Sequence, residues 1–393
     1  MRTGSIVSSA IALFVLRVHG APERKLEALT EGDTLTKMEE FFGVKLERKF
    51  NDLPTSARLE KAPWNGPIWE TYADSINYPW KANQPSPTEK YAMAFGLNAT
   101  ELKYNVSAAF GLYSVSDSKP ACSSSCKDEE DVCTNRNGMG ICIPRWFGLS
   151  QGLAPAAIFE KEPLCPITFN NVEFYPNDIK GLISAVYAGA NSSKIFGGKR
   201  YHDKEVSLDQ YGRPTEANYR DVTPAFFHIA VANIIGKLKR SLIIDRFPGH
   251  TVWNQALSAF EVYEQKTMTP EEAAKSFFNT DKYPFNDQAT QIIYVVSSVF
   301  WNNTPFPTDE FRPLIQDEDF YATYSYILEI TAAGDICGGE WVNKSIHAHA
   351  DYLYVVKEKP AADLVTSVGF SYANVLKLLE MSAACPNTIQ IAN

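Results

Sequence analysis

Three side chains in this sequence could together carry out acyl transfer: Ser150, His228 and Asp245. A nucleophile gains most at the first turn of a helix, where free backbone N–H groups and the helix dipole stabilise an anion. The stretch Trp146-Phe147-Gly148-Leu149-Ser150-Gln151-Gly152-Leu153-Ala154-Pro155-Ala156-Ala157 offers that setting. Gly148 permits a tight turn, the residues after it enter a helix, and Ser150 stands at the N-terminus. Taken alone, a serine there is an ordinary N-cap. His228 sits in Phe226-Phe227-His228-Ile229-Ala230, which alternates like a strand, and Asp245 ends Ser241-Leu242-Ile243-Ile244-Asp245. On adjacent antiparallel strands the two would stand side by side. The carboxylate would then orient the imidazole, and the imidazole would act on the nucleophile. A histidine and an aspartate so placed are more often a structural hydrogen bond.

The elements that must position them follow from periodicity. Leu35, Met38, Phe41, Phe42 and Leu46 recur at helical spacing, and residues 88–97, 150–162, 177–189 and 370–382 also read as helices. Strand-like runs fill the second half: 227–231, 242–244, 260–263, 292–300, 324–330 and 352–356. Helices first and strands later imply an α+β fold with a mostly antiparallel sheet. Residues 63–88 carry Pro63, Trp64, Trp69, Tyr72, Trp80 and Pro85, an irregular segment laid on a surface through its aromatics. The chain divides into residues 1–20, an N-terminal segment 21–85 and a main domain 86–393.

Composition narrows the function. Nearly half the residues are hydrophobic, enough for a sizeable core, while the net charge of -9 and the pI near 5.3 argue against nucleic acid as a partner. Arg2 followed by an apolar stretch at 6–16 reads as a signal peptide, with cleavage before Ala21. No later run is long and uncharged enough to suggest a membrane anchor. Secretion agrees with sequons at Asn98, Asn105, Asn191, Asn302 and Asn343. The seven cysteines are Cys122, Cys126, Cys133, Cys142, Cys165, Cys337 and Cys385. In an exported chain they read as disulfides, two of them within 122–142, with at least one thiol left over. Zinc fails on spacing. The acidic run from Asp128 to Asp131 lacks the ligand pattern of a calcium loop and reads as a solvated face.

Several long motifs resemble the oomycete transglutaminase elicitor family. Arg-Trp-Phe-Gly-Leu and Ala-Pro-Ala-Ala, within 145–163, are similar to its active-site segment. The segments around His228 and Asp245 are similar to its His and Asp segments. Residues 69–80, 86–97 and Gly338-Gly339-Glu340-Trp341 match as well. The resemblance spans roughly residues 63–358. It implies a papain-like core and transamidation: a cysteine thiolate attacks a glutamine carboxamide, ammonia leaves, and a lysine amine resolves the thioester. His228 would then be general base and acid, with Asp245 orienting it. It also implies calcium dependence, and protein substrates carrying Gln and Lys.

The departure lies at the nucleophile. The family pattern is close to Gly-Leu-Cys-His-Ala-Trp-Ala-Pro, and this chain reads Gly-Leu-Ser-Gln-Gly-Leu-Ala-Pro. A thiol with a pKa of about 8.5 is easily ionised beside a base, whereas a serine hydroxyl needs full base catalysis. The expectation is a secreted transglutaminase-like protein with impaired chemistry, the neighbours Gly152 and Leu153 reshaping the slot further. The alternative is an active acyltransferase or hydrolase using Ser150, His228 and Asp245. Finally, Val252-Trp253-Asn254-Gln255, running on to Phe260 and Tyr263, resembles the family's peptide perceived by plant receptors, with Ala256-Leu257-Ser258 where the family has Pro-Val-Arg.

Overall fold

A computed structural model describes residues 34–116, 120–190, 192–202, 206–302 and 319–384. The signal-peptide reading, the sequon at Asn191 and Cys385 fall outside them. Helices form where caps and apolar spacing agree. Ser86 accepts from the Glu89 N–H and Glu89 returns a bond to the Ser86 N–H, which opens Pro87–Phe95. Pro176–Gly189 turns Ile179, Leu182, Ile183 and Val186 fully inward. Thr34–Phe42 and Tyr372–Ala383 match the first and last helical patterns. In the aromatic segment, Trp64 and Trp69 are buried, and the Trp80 indole donates to Asp178 at 2.7 Å.

The strand-rich half builds one antiparallel sheet, which bears out the α+β expectation. Its order is Ile336–Trp341, Asp319–Ile330, Gln291–Asn302, Asn254–Met268, Ile243–Asp245, Tyr352–Val356 and Lys194–Gly197. Ser56–Arg58 pairs with Asn254–Met268 off this path, so the N-terminal segment contributes a strand to the main sheet. In the middle of the sheet Asp245 stands opposite both Asn254 and Tyr352, and Ile243 opposite Ala256 and Tyr354. Paired residues share a face, and residues two apart return to it. One face therefore presents Ile243, Asp245, Asn254, Ala256, Tyr352 and Tyr354. The helix Ser150–Phe159 covers it, with Ala154 packed against Ile243, Tyr352 and Tyr354. The other face presents Leu242, Ile244, Leu257, Leu353 and Val355, and packs with Phe226, Phe227 and Ile229.

Those last residues belong to a helix, which corrects the strand expected around His228. Pro224–Val231 is α-helical, and the chain continues as a π-helix over Ala232–Lys237. Thr223 caps it, accepting from the Phe226 N–H, and Pro224 takes the first position. The alternation in 227–231 misled because every residue from Pro224 to Gly236 is buried. A segment apolar on all sides carries no periodic signal.

A small sheet holds the cysteine-rich loop. Cys122 bridges Cys133 and Cys126 bridges Cys142, the two disulfides expected there. Cys165 is also disulfide-bonded, with its partner outside the described residues. Cys337 is in no disulfide, and its thiol donates to the Glu329 carbonyl at 3.3 Å. Among the described residues no helix is long and apolar enough to cross a membrane.

Candidate active site

The serine helix begins where backbone packs on backbone. The Leu149 N–H donates to the Ile68 carbonyl, and a Cβ on Gly148 would lie 2.7 Å from that oxygen. Gly148 is thus required by close approach. After the N-cap Leu149, whose side chain makes no cap bond, Ser150 occupies the first helical position. Its Oγ accepts from Asn254 Nδ2 at 3.2 Å. The Asn254 carbonyl oxygen accepts from the Tyr352 and Tyr354 hydroxyls at 3.1 and 3.3 Å. In this arrangement the two phenols donate into Oδ1 and Nδ2 points its proton at the serine. Ser150 is 6 % exposed and Asn254 9 %. The serine therefore receives a hydrogen bond from a carboxamide, a group with no basicity to accept its proton.

Of the neighbours that differ from the family pattern, only Gln151 is exposed. A Cβ on Gly152 would stand 2.1 Å from the Ser184 carbonyl oxygen, so Gly152 lets the serine helix lie against Pro176–Gly189. Leu153 is buried in the core formed with that helix. Both residues serve helix packing, which corrects the expectation that they reshape a substrate slot.

Asp245 sits beside the relay, fully buried on the same face. One carboxylate oxygen accepts from the Trp253 N–H at 3.1 Å, and the other has no hydrogen-bond partner. Burial pushes its pKa up to about 7, opposed by the Trp253 N–H and by Arg200 and Arg246. Asp351 rises to about 8 and Asp221 to about 7, again chiefly through burial. Acidic groups near neutrality thus collect beneath the site.

His228 is not part of this group. Its helix packs on the opposite face of the sheet, its ring stacks on Phe50, and its Nδ1 pairs with the Tyr326 hydroxyl at 2.8 Å. Burial pushes its pKa down to about 4. The expected His228–Asp245 pair is therefore replaced by a His228–Tyr326 pair. The structure brings together Ser150 and Asp245 of the three sequence candidates, and adds Asn254, Tyr352 and Tyr354. Asn254 had been legible only as part of the perceived-peptide resemblance. Alternation in Tyr352-Leu353-Tyr354 is the signal that could have placed both tyrosines on one face.

A cleft of about 760 Å³ opens at the segment that leads into the serine helix and at the start of the Val252 segment, lined among others by Arg145, Trp146, Arg246, Phe247, His250 and Trp253. The segment from Val252 runs from this cleft into the sheet. Val252 packs against Ala154 and Trp253 lines the cleft, while Asn254, Gln255 and Phe260 are buried. Tyr263 is exposed, and Ser258 is fully buried, donating to the Phe300 carbonyl at 3.1 Å. As to calcium, the described residues bring no set of carboxylates together at ligand spacing. The cluster that does converge, Cys122, Cys126 and Cys142, has its sulfurs in disulfides. The described residues therefore offer no side-chain set that fits a calcium ion.

Fold and site define a transglutaminase-like α+β scaffold, with the nucleophile position at a helix terminus laid on an antiparallel sheet. The solved structure of the GP42 transglutaminase from Phytophthora sojae superposes with a TM-score of 0.80 at 41 % identity, covering 92 % of this chain and 100 % of that one. The family model described as Transglutaminase elicitor matches residues 34–385, and the chain belongs to that family. No curated relative matches it.

Proposed function

We propose that this chain is a secreted transglutaminase-like elicitor whose transamidase chemistry is impaired. The observation that carries the reading is the hydrogen bond from Asn254 to Ser150 Oγ. A serine attack requires a base that takes the hydroxyl proton as the bond to carbon forms. Here the group in contact donates rather than accepts, and the histidine lies across the sheet. A cysteine at this helix terminus could ionise with help from the dipole, but a serine hydroxyl cannot. Asp245 is the nearest candidate acid or base on the serine face, yet it makes no hydrogen bond to Ser150 and its pKa near 7 leaves it partly protonated. The alternative use of Ser150, His228 and Asp245 as a triad lacks the contact it requires.

Secretion is supported by the signal-like N-terminus and the disulfides, and glycosylation by sequons of which Asn98 and Asn343 are exposed. The test of the central reading is incorporation of an amine donor into a glutamine protein by the mature chain. Wild type and Ser150→Ala should give the same background. Activity in wild type that Ser150→Ala removes would refute impairment.

The perceived-peptide segment supports a plant surface receptor as partner. Its first half is buried in the folded chain, so the free peptide is the proper probe. A peptide of residues 252–264 should raise ion flux in responsive plant cells weakly or not at all. Pro at Ala256 and Arg at Ser258 should strengthen the response. Equal potency of the native and substituted peptides would refute a role for those positions.

A further inference from the structure

The cleft bordered by Trp146 and Trp253 carries positive charge in a chain whose net charge is -9. Arg145 and Arg246 line it, and the one lining carboxylate, Glu130, faces His250 at 3.7 Å. Arg246 is the informative residue. Its guanidinium carbon lies 5.0 Å from the Phe247 ring centre and 5.7 Å from that of Trp253. Its Nε is buried with no hydrogen-bond partner, and among the described residues it is in no ion pair. A guanidinium held on aromatic faces at the wall of a cleft is set to receive a planar carboxylate. The indole Nε1 of Trp146, on the same wall, is a second buried donor without a partner. Beneath lies Asp245, whose partial protonation near neutral pH leaves the Arg246 charge incompletely balanced.

Arg246 follows Asp245 directly, and Trp253 directly precedes Asn254, the residue bonded to Ser150. The two cleft residues are thus joined through the chain to the strands that carry the serine relay. We infer that the cleft is a binding site for an acidic peptide segment, with Arg246 taking an Asp or Glu side chain and Trp146 and Trp253 bordering its neighbours. The inference rests on reading this cleft as the substrate side of the transglutaminase-like site. It requires binding alone, with no turnover. The volume accommodates a few residues of extended chain, more than a free amino acid fills.

The experiment is fluorescence anisotropy on the mature full-length chain. Three labelled peptides share a central Gln beside a Tyr and carry Glu, Ala or Lys at the flanking positions; free glutamate serves as competitor, and a labelled oligogalacturonate is tested alongside. The Glu peptide should bind about tenfold more tightly than the Lys peptide, the difference shrinking as salt rises. Arg246→Gln should weaken the Glu peptide about tenfold and change the Ala peptide by less than about twofold. Should that variant fold poorly by circular dichroism, the exposed Arg145→Gln keeps the test, with a smaller loss confined to the Glu peptide. Equal affinity for the three peptides overturns the inference, as does insensitivity to both arginine variants. Binding of a labelled oligogalacturonate by a chain that binds none of the peptides overturns it as well, since the site would then belong to an acidic glycan. None of these outcomes alters the amine-incorporation result, so failure here is distinguishable from failure of the impaired-enzyme reading.

Discussion

The two faces of the central sheet hold opposite kinds of chemistry. On the serine face a polar relay runs from Tyr352 and Tyr354 through Asn254 to Ser150, with Asp245 alongside. On the histidine face His228 stacks on Phe50 and meets Tyr326, its hydrogen-bond partner, while the neighbouring Phe227 packs against Tyr324, Tyr326 and Trp341. The strand Ile243–Asp245 separates them by parity alone: Asp245 points to one side and Ile244 to the other. Polar residues of suitable type can flank the same strand and still never meet.

If the histidine face is structural, its disruption should register as stability. Phe227 is 1 % exposed and touches three aromatic rings. Phe227→Ala should cost about 3–5 kcal/mol in urea unfolding. A cost under about 1 kcal/mol would mean that this core is looser than its packing indicates.

The pH dependence separates the faces next. His228 has its pKa lowered from 6.5 to about 4, so the unfolded chain binds the extra proton between those values. Its neutral burial therefore stabilises fully above about pH 6.5, and this is lost as pH falls toward 4, to a total of about 3 kcal/mol. Asp245 runs the other way: its raised pKa favours the folded state at low pH, and that contribution is lost as pH rises toward 7. His228→Gln should flatten the acid limb of a melting-temperature profile and leave the limb near neutral in place. An unchanged acid limb would contradict the assignment of a buried neutral imidazole.

The smallest stability effect belongs to the relay. Asn254→Leu removes the acceptor of two tyrosine hydroxyls and the donor to Ser150. Buried groups left unsatisfied are costly, and about 1–3 kcal/mol is expected. A larger loss would mark the relay as a core element rather than a site.

Much of this was legible in the sequence. The helices at 177–189 and 370–382 showed by their length, and the strands at 292–300, 324–330 and 352–356 as short runs rich in β-branched and aromatic residues. The helix around His228 did not, because a segment buried on all sides reads as a strand or a helix equally well. Ser150 at a helix start was recognisable from Gly148 and the alanines that follow. Its partner was not, since Asn254 lies 104 residues away and sequence carries no parity between distant strands. Gly152 and Leu153 looked like slot residues because they neighbour Ser150, yet two residues along a helix turn Gly152 toward Ser184, and Leu153 is taken up by the core formed with Pro176–Gly189.

The most direct measurement is amine incorporation by Ser150→Cys, alone and combined with His228→Gln or Asp245→Asn. A thiol at this helix terminus can ionise where the hydroxyl cannot, and Gly152 and Leu153 do not occupy the slot. The account predicts measurable activity in Ser150→Cys, retained with His228→Gln and mostly lost with Asp245→Asn. No gain in Ser150→Cys, or a gain that His228→Gln abolishes in a folded protein, would contradict it.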